Sequence, residues 1–185
     1  MPRILEDADQ RLSGTLRLLL VQLKMELEQI VTRIDETDAL LNRSTRENEA
    51  CQRLVAIPGV GPVTATALVA AIGNGAAFRT GRDFSAWMGV VPREYSTGGR
   101  QKLLGISKHG NPYLRRLFIQ GARAVLQHAT KQAPGLRAWL AQLTARTHRN
   151  VAAVALANKL ARIALAILTT NEPYRPMALT GTVGA

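Results

Sequence analysis

Between Val91 and Arg123 the chain reads VPREYSTGGRQKLLGISKHGNPYLRRLFIQGAR, with seven Arg or Lys residues against one acid, Glu94. Two hydroxyl-bearing turns lie in this run: Tyr95-Ser96-Thr97-Gly98-Gly99, and Ser107-Lys108 between Gly105 and Gly110-Asn111. Hydroxyls on flexible glycine turns, ringed by guanidinium and ammonium groups, suit a phosphate backbone that is to be gripped or attacked. A serine that attacks a phosphodiester needs exposure on a loop, a proton acceptor or a low-pKa setting, and cations to stabilise the transition state. Gly98 and Gly99 let the backbone approach a phosphate, and Arg93, Arg100 and Lys102 lie within a few residues of Ser96. Ser96 is therefore the candidate nucleophile, and Ser107, beside Lys108, is its rival. The plain alternative for Ser96 is a turn hydroxyl bound to a backbone N–H.

The charge that surrounds these turns is unevenly spread. Residues 1–50 carry seven Lys/Arg and ten Asp/Glu, whereas residues 51–185 carry seventeen Lys/Arg and three acids, Asp83, Glu94 and Glu172. A net of −3 thus precedes a net of +14. A body this basic attracts polyanions, nucleic acid first and an anionic membrane second, although a charge run by itself is often only a solvated face. The single cysteine, Cys51, excludes an internal disulfide framework and a Cys-rich zinc site, and fits a buried apolar role in a reducing cytoplasm. No uninterrupted apolar run reaches the ~20 residues of a membrane span, and MPRILEDADQ has no export-signal pattern.

The elements that must position the basic run read as mainly α. Leu12, Leu16, Leu19, Leu23, Leu27, Ile30, Ile34 and Leu41 form one seam, so residues 11–49 predict a long helix with charges outside. That stripe needs a partner helix, from a second copy or from its own fold. In LVAIPGVGPVTATALVAAIGNG, Pro58, Gly59, Gly61 and Pro62 predict a tight turn between two helices, with Pro62 at the first position of the second and Gly73 and Gly75 ending it. This resembles a helix-hairpin-helix, in which Gly59, Gly61 and the helix start at Thr64 would meet a DNA phosphate through free N–H groups; a plain helical hairpin is the alternative. Further helices are predicted around 83–88, from the cap Asn111 to about 132, over 136–146 and over 151–168, with a low-complexity tail after Pro176 expected to be disordered. Almost nothing alternates as a strand does.

The order IPGVGPVTATALVAAIG, then FSAWMGVVPREYSTGGRQKLLGISKHGNPYLRRLFIQGARAVL, then VAAVALANKLARIALAILT and YRP resembles the serine-bearing C-terminal domain of IS one-ten type insertion-sequence transposases, the DEDD, bridge-RNA-guided group. The resemblance covers about residues 52–176, and the segment before it resembles the family's coiled coil. It implies a division into a coiled coil at 1–50, a DNA-binding and catalytic domain at 51–176 and a tail at 177–185. It also implies a serine that links covalently to DNA, while an N-terminal RuvC-like domain supplies four carboxylates for Mg2+.

Ser96 falls on the family's serine-glycine motif; Thr97, directly before the first glycine, is an alternative on the same ground. The DNA-binding set expected with it is Gly59, Gly61, Thr64, Arg93, Gly98, Gly99, Arg100, Lys102, Lys108, Asn111, Arg115 and Arg116. His109 is a further titratable group beside the second turn.

The acids of residues 1–50 sit on the heptad-like helix and those beyond are far apart, so no metal-binding set is expected here, and no cofactor. The chain reads as the second half of such a transposase, a truncated copy. Its partners would be DNA, a guide RNA and further copies of itself, with no membrane, in a bacterial cytoplasm at the nucleoid. The competing reading is a non-catalytic helix-hairpin-helix module that only holds DNA.

Overall fold

The seam of leucines produces a helix, α1 (Gly14–Glu47), whose start is steadied by Ser13 Oγ accepting from Leu16 N at 3.3 Å. The computed structural model describes residues 13–100 and 102–178, and the chain divides into two units, residues 1–43 and 44–185. Among the described residues of the first unit, most of the seam is left open to solvent. Leu16, Leu19, Leu23, Leu27, Ile30 and Ile34 are all exposed, between 42% and 59%, and Leu41 is half-buried. Leu12 lies outside the described residues.

The expected single helix over 11–49 is interrupted at Asn48. Its backbone is extended (φ −114°) and its side chain accepts from Cys51 N at 3.1 Å, so it caps a new helix, α2 (Glu49–Val55). An Asn side chain that bonds its own local backbone ends one helix as readily as it starts another.

The second unit is helical apart from one small ribbon. After α2 come α3 (Pro62–Ile72), α4 (Gly81–Met88), strands β1 (Pro92–Glu94) and β2 (Leu103–Ile106), α5 (Pro112–Gln127), a 3₁₀ turn (Ala129–Lys131), α6 (Pro134–Arg146) and α7 (Arg149–Thr170). Pro62 occupies the first position of α3, as its sequence predicts, and Thr80 and Asp83 form a reciprocal capping box on α4. The helix expected to run from Asn111 to about 132 ends at Gln127 and gives way to the 3₁₀ turn. The ribbon is the main departure from the sequence reading.

Helix α7 is the axis of the unit, and α2, α4, α5 and α6 all pack on it. Its inward positions are Ala152, Ala153, Ala157, Ala161 and Ala164 interleaved with Leu156, Leu160 and Leu168, all buried. Small side chains let neighbouring backbones come close, and the leucines fill what remains. Phe84 and Phe118 complete the core, with Phe78, Phe84 and Trp87 in mutual ring contact at 5.2–5.9 Å. By length and hydropathy α7 is the one described helix that could cross a bilayer; here it serves as a core helix. Cys51 is buried, and burial raises its thiol pKa, in keeping with a small apolar role.

The α2–α3 turn reaches the core through a glycine pair. A Cβ on Gly59, whose φ is +79°, would lie 2.6 Å from Gly121 O, and a Cβ on Gly121 would overlap Gly59 O. The turn and α5 thus touch backbone to backbone. At the other end of the unit, Met177 and Ala178 run against Gly135, so the tail begins in contact with α6; residues 179–185 lie outside those described. We expect Gly121→Ala to cost about 1–3 kcal/mol in urea unfolding, since overpacking here meets backbone. Gly105→Ala, where a Cβ meets nothing within 4 Å, should stay within about 0.5 kcal/mol.

Candidate active site

The ribbon is built from its root outward. Val90 is buried, and beyond it the chain leaves the core as an antiparallel pair, with Pro92 opposite Ile106 and Glu94 opposite Leu103. Three residues on β1 stand opposite four on β2, so the register shifts, which bends and twists a ribbon. Farther out Tyr95 N donates to Lys102 O at 2.9 Å, and Thr97 bridges Arg100, whose N donates to Thr97 O at 3.1 Å. Gly98 and Gly99 form the tip at φ +58° and +76°. Two consecutive positive φ values are what a tight two-residue hairpin turn demands, and glycine supplies them without steric cost.

Three contacts hold the root. Ser107 N donates to Val91 O at 2.8 Å, and Lys108 N donates to Gly89 O at 3.2 Å. Arg115, on the first turn of α5, donates from Nη1 to Met88 O at 3.1 Å and to His109 O at 3.2 Å, tying the end of α4 to the return of the ribbon. Asn111 caps α5, its Oδ1 accepting from Tyr113 N and Leu114 N, both at 3.0 Å.

On this ribbon Ser96 is exposed, and its hydroxyl donates to Glu94 Oε1 at 2.6 Å. That is the length of a charge-assisted O–H···O⁻ bond. Lys102 N approaches the same oxygen from the other side, at 3.4 Å. Glu94, which the sequence offers only as the sole acid of the basic run, is thus the hydrogen-bond acceptor beside Ser96. Ser96 lies two residues past the end of β1, so the Glu94–Ser96 contact is legible only once the hairpin is drawn.

Arg93, Arg100, Lys102, Lys108 and Arg116 are exposed, and among the described residues none of them makes an ion pair. Thr97 is exposed at the tip. Ser107 is placed differently: its Oγ is buried with no hydrogen-bond partner, so it is not presented to a phosphodiester.

The ribbon groups Arg93, Ser96, Gly98, Gly99, Arg100 and Lys102, and its root adds Lys108, Asn111, Arg115 and Arg116. The residues of the α2–α3 turn lie elsewhere. Gly59 packs on Gly121, ten residues along α5 from Asn111, or roughly 15 Å at the helical rise. Gly61 precedes α3 without a side-chain cap, and Thr64 is buried at 6% exposure. Among the described residues no three His, Cys, Asp or Glu gather as a metal-binding set. The described residues do not fit Mg2+.

Residues 51–137 match the family model described as Transposase IS116/IS110/IS902 family. The chain is 46% identical over 158 residues to a Pseudomonas aeruginosa protein named a probable family 20 transposase, covering 85% of this chain and 47% of that protein. It is 43% identical over 156 residues to the transposase for insertion sequence element IS1328 of Yersinia enterocolitica, covering 84% and 47%. It is 41% identical over 175 residues to the transposase for IS1111A of Coxiella burnetii, covering 95% and 48%. The chain thus spans about half the length of these curated relatives.

The two adjacent arginines of α5 should separate in a mutational test. Arg115→Ala removes two bonds to carbonyls and should cost about 1–3 kcal/mol in thermal unfolding. Arg116→Ala, exposed and without an ion pair among the described residues, should stay within about 0.5 kcal/mol.

Proposed function

We propose, from the premise that this chain belongs to the IS116/IS110/IS902 transposase family, that its ribbon is a DNA strand-transfer loop. Ser96 is the nucleophile and Glu94 its proton acceptor. The observation that carries this reading is the 2.6 Å bond between the two side chains on an exposed, cation-flanked hairpin. In the reaction Ser96 Oγ forms a bond to phosphorus as its proton passes to Glu94. The bond from phosphorus to one deoxyribose oxygen breaks, and that oxygen leaves with a proton taken from water. Arg93, Arg100 and Lys102 offset the charge that builds on the phosphoryl oxygens, and the backbone at Gly98 and Gly99 leaves room for the phosphate. These groups are exposed, so their effect grows when bound DNA excludes water around them.

The relatives are named as transposases of insertion sequences, and this chain corresponds to about half of each; for it, DNA transposition is part of the proposal. So is guide RNA, whose phosphates the same cations would accept. Association through α1 is a third part: its exposed apolar seam pairs with a second copy in a coiled coil. The competing reading, a binding-only module, is favoured by the uncapped start of α3 at Gly61, which presents helix N–H groups to a phosphate.

A covalent adduct assay separates the two. Radiolabelled insertion-element-end DNA is incubated with the chain, alone and with a RuvC-like carboxylate domain added in trans, then denatured. The catalytic reading expects an adduct that Ser96→Ala abolishes and that Glu94→Gln slows about 10²- to 10⁴-fold. No adduct under either condition, with DNA binding intact, leaves only the binding module. An adduct retained in Ser96→Ala but lost in Thr97→Val would move the nucleophile by one residue. Sedimentation tests the seam: the double variant Leu23→Glu, Ile30→Glu should convert an oligomer to monomer without loss of the helical domain's thermal transition.

A further inference from the structure

Behind the ribbon lies a cavity of about 720 Å³ that the strand-transfer chemistry does not use. Its volume is within the range of small-ligand sites, roughly 300–1,000 Å³. One wall is the root of the ribbon, at Pro92, Leu104 and Ile106, and the other is the N-terminal half of α7, at Val151 and Val154. Trp139 of α6 lines it too, with Lys159 Nζ 5.0 Å from the ring centroid. Asn158 stands in the wall, anchored by a 3.2 Å hydrogen bond with Ser85 Oγ. Lys159 and Arg162 also face the cavity, no acid lines it, and among the described residues neither cation is ion-paired.

Apolar walls alone would fit many occupants, but these carry an indole, a fixed amide and two unneutralised cations on one helix. That set matches a group with a flat π-face, a hydrogen-bonding edge and a negative charge. An apolar peptide would leave both charges without a counter-charge. Stacked duplex DNA cannot offer a base edge-on to a slot. A nucleotide taken out of its stack offers all three features at once.

We propose that this groove receives one unstacked nucleotide of a single strand, its base between Trp139 and the α7 wall and its phosphate at Lys159 and Arg162. The position is apt for a strand that also passes the ribbon. Pro92 lines the groove and Ser96 lies four residues farther out, about 13 Å along an extended strand. The proposal does not depend on which hydroxyl attacks, or on whether any does.

The test uses the full chain and a 12-nucleotide oligothymidylate carrying one 5-iodouracil. Ultraviolet crosslinking followed by mass spectrometry should map the adduct to Trp139 or its immediate neighbours. Ala155→Phe fills the groove from α7, and Val151→Phe does so from its exposed mouth should the first variant fail to fold. The filled variant should lose the crosslink and bind the single strand at least tenfold more weakly, with less than twofold change for a blunt duplex of the same length. Lys159→Gln should flatten the salt dependence of single-strand affinity. Ser96→Ala should crosslink like the wild-type chain, so failure of the covalent chemistry and failure of the groove are read separately. Crosslinks confined to other residues, no crosslink at all, or a folded, filled variant that binds the single strand as the wild type does would overturn the assignment.

Discussion

The constraint on which the second unit rests is how closely helices can approach α7. Its inward face is written mostly in alanine, at positions 152, 153, 157, 161 and 164, and a buried alanine holds the neighbouring backbone near the axis. Helices α4 and α5 both settle against that face, and the chain between them has no space in the core. It leaves as an exposed ribbon and returns, clamped at its root by Arg115 bonding to carbonyls on both sides. Replacing those alanines with larger residues would push α4 and α5 outward and separate the two carbonyls that one guanidinium now spans. Packing at the centre thereby sets the geometry of a loop that makes no core contact of its own.

Close packing recurs at the α2–α3 turn, where Gly59 and Gly121 meet backbone to backbone. The glycines of that turn read equally as a phosphate-binding hairpin and as a plain helical one. One of them is consumed by packing, and Gly61 keeps an exposed place before α3. Neighbouring glycines of one motif thus differ in burial, a distinction that only three-dimensional contact reveals.

Most helices were legible because each buries one face, and burial writes a 3.6-residue period into the sequence. The break at Asn48 was not, since the charged pattern runs through it and the deciding event is one side-chain bond to Cys51 N. The ribbon escaped for a different reason. Both strands are exposed along nearly their whole length, with only Ile106 half-buried, so no buried face imposes alternation. The site shared that fate in part. Ser96 and its cations stand out by type and by the glycines beside them, whereas Glu94 gains meaning only from the hairpin that brings its carboxylate to the Ser96 hydroxyl. Ser107, equally plausible from its Ser-Lys-x-Gly setting, is separated from Ser96 by burial of its oxygen alone.

A two-stranded ribbon exposed along nearly its whole length has little to hold it in water beyond its root contacts and its own few hydrogen bonds. The described residues of its outer half, 94–100 and 102, are exposed, and that half stands as a lever fixed at one end. On the proposed reading, a bound polyanion would supply the ordering that the fold withholds, and part of the association free energy would go into stiffening the lever. Tight binding and a well-aimed hydroxyl would then arrive together, and selectivity would follow from entropy as much as from contact.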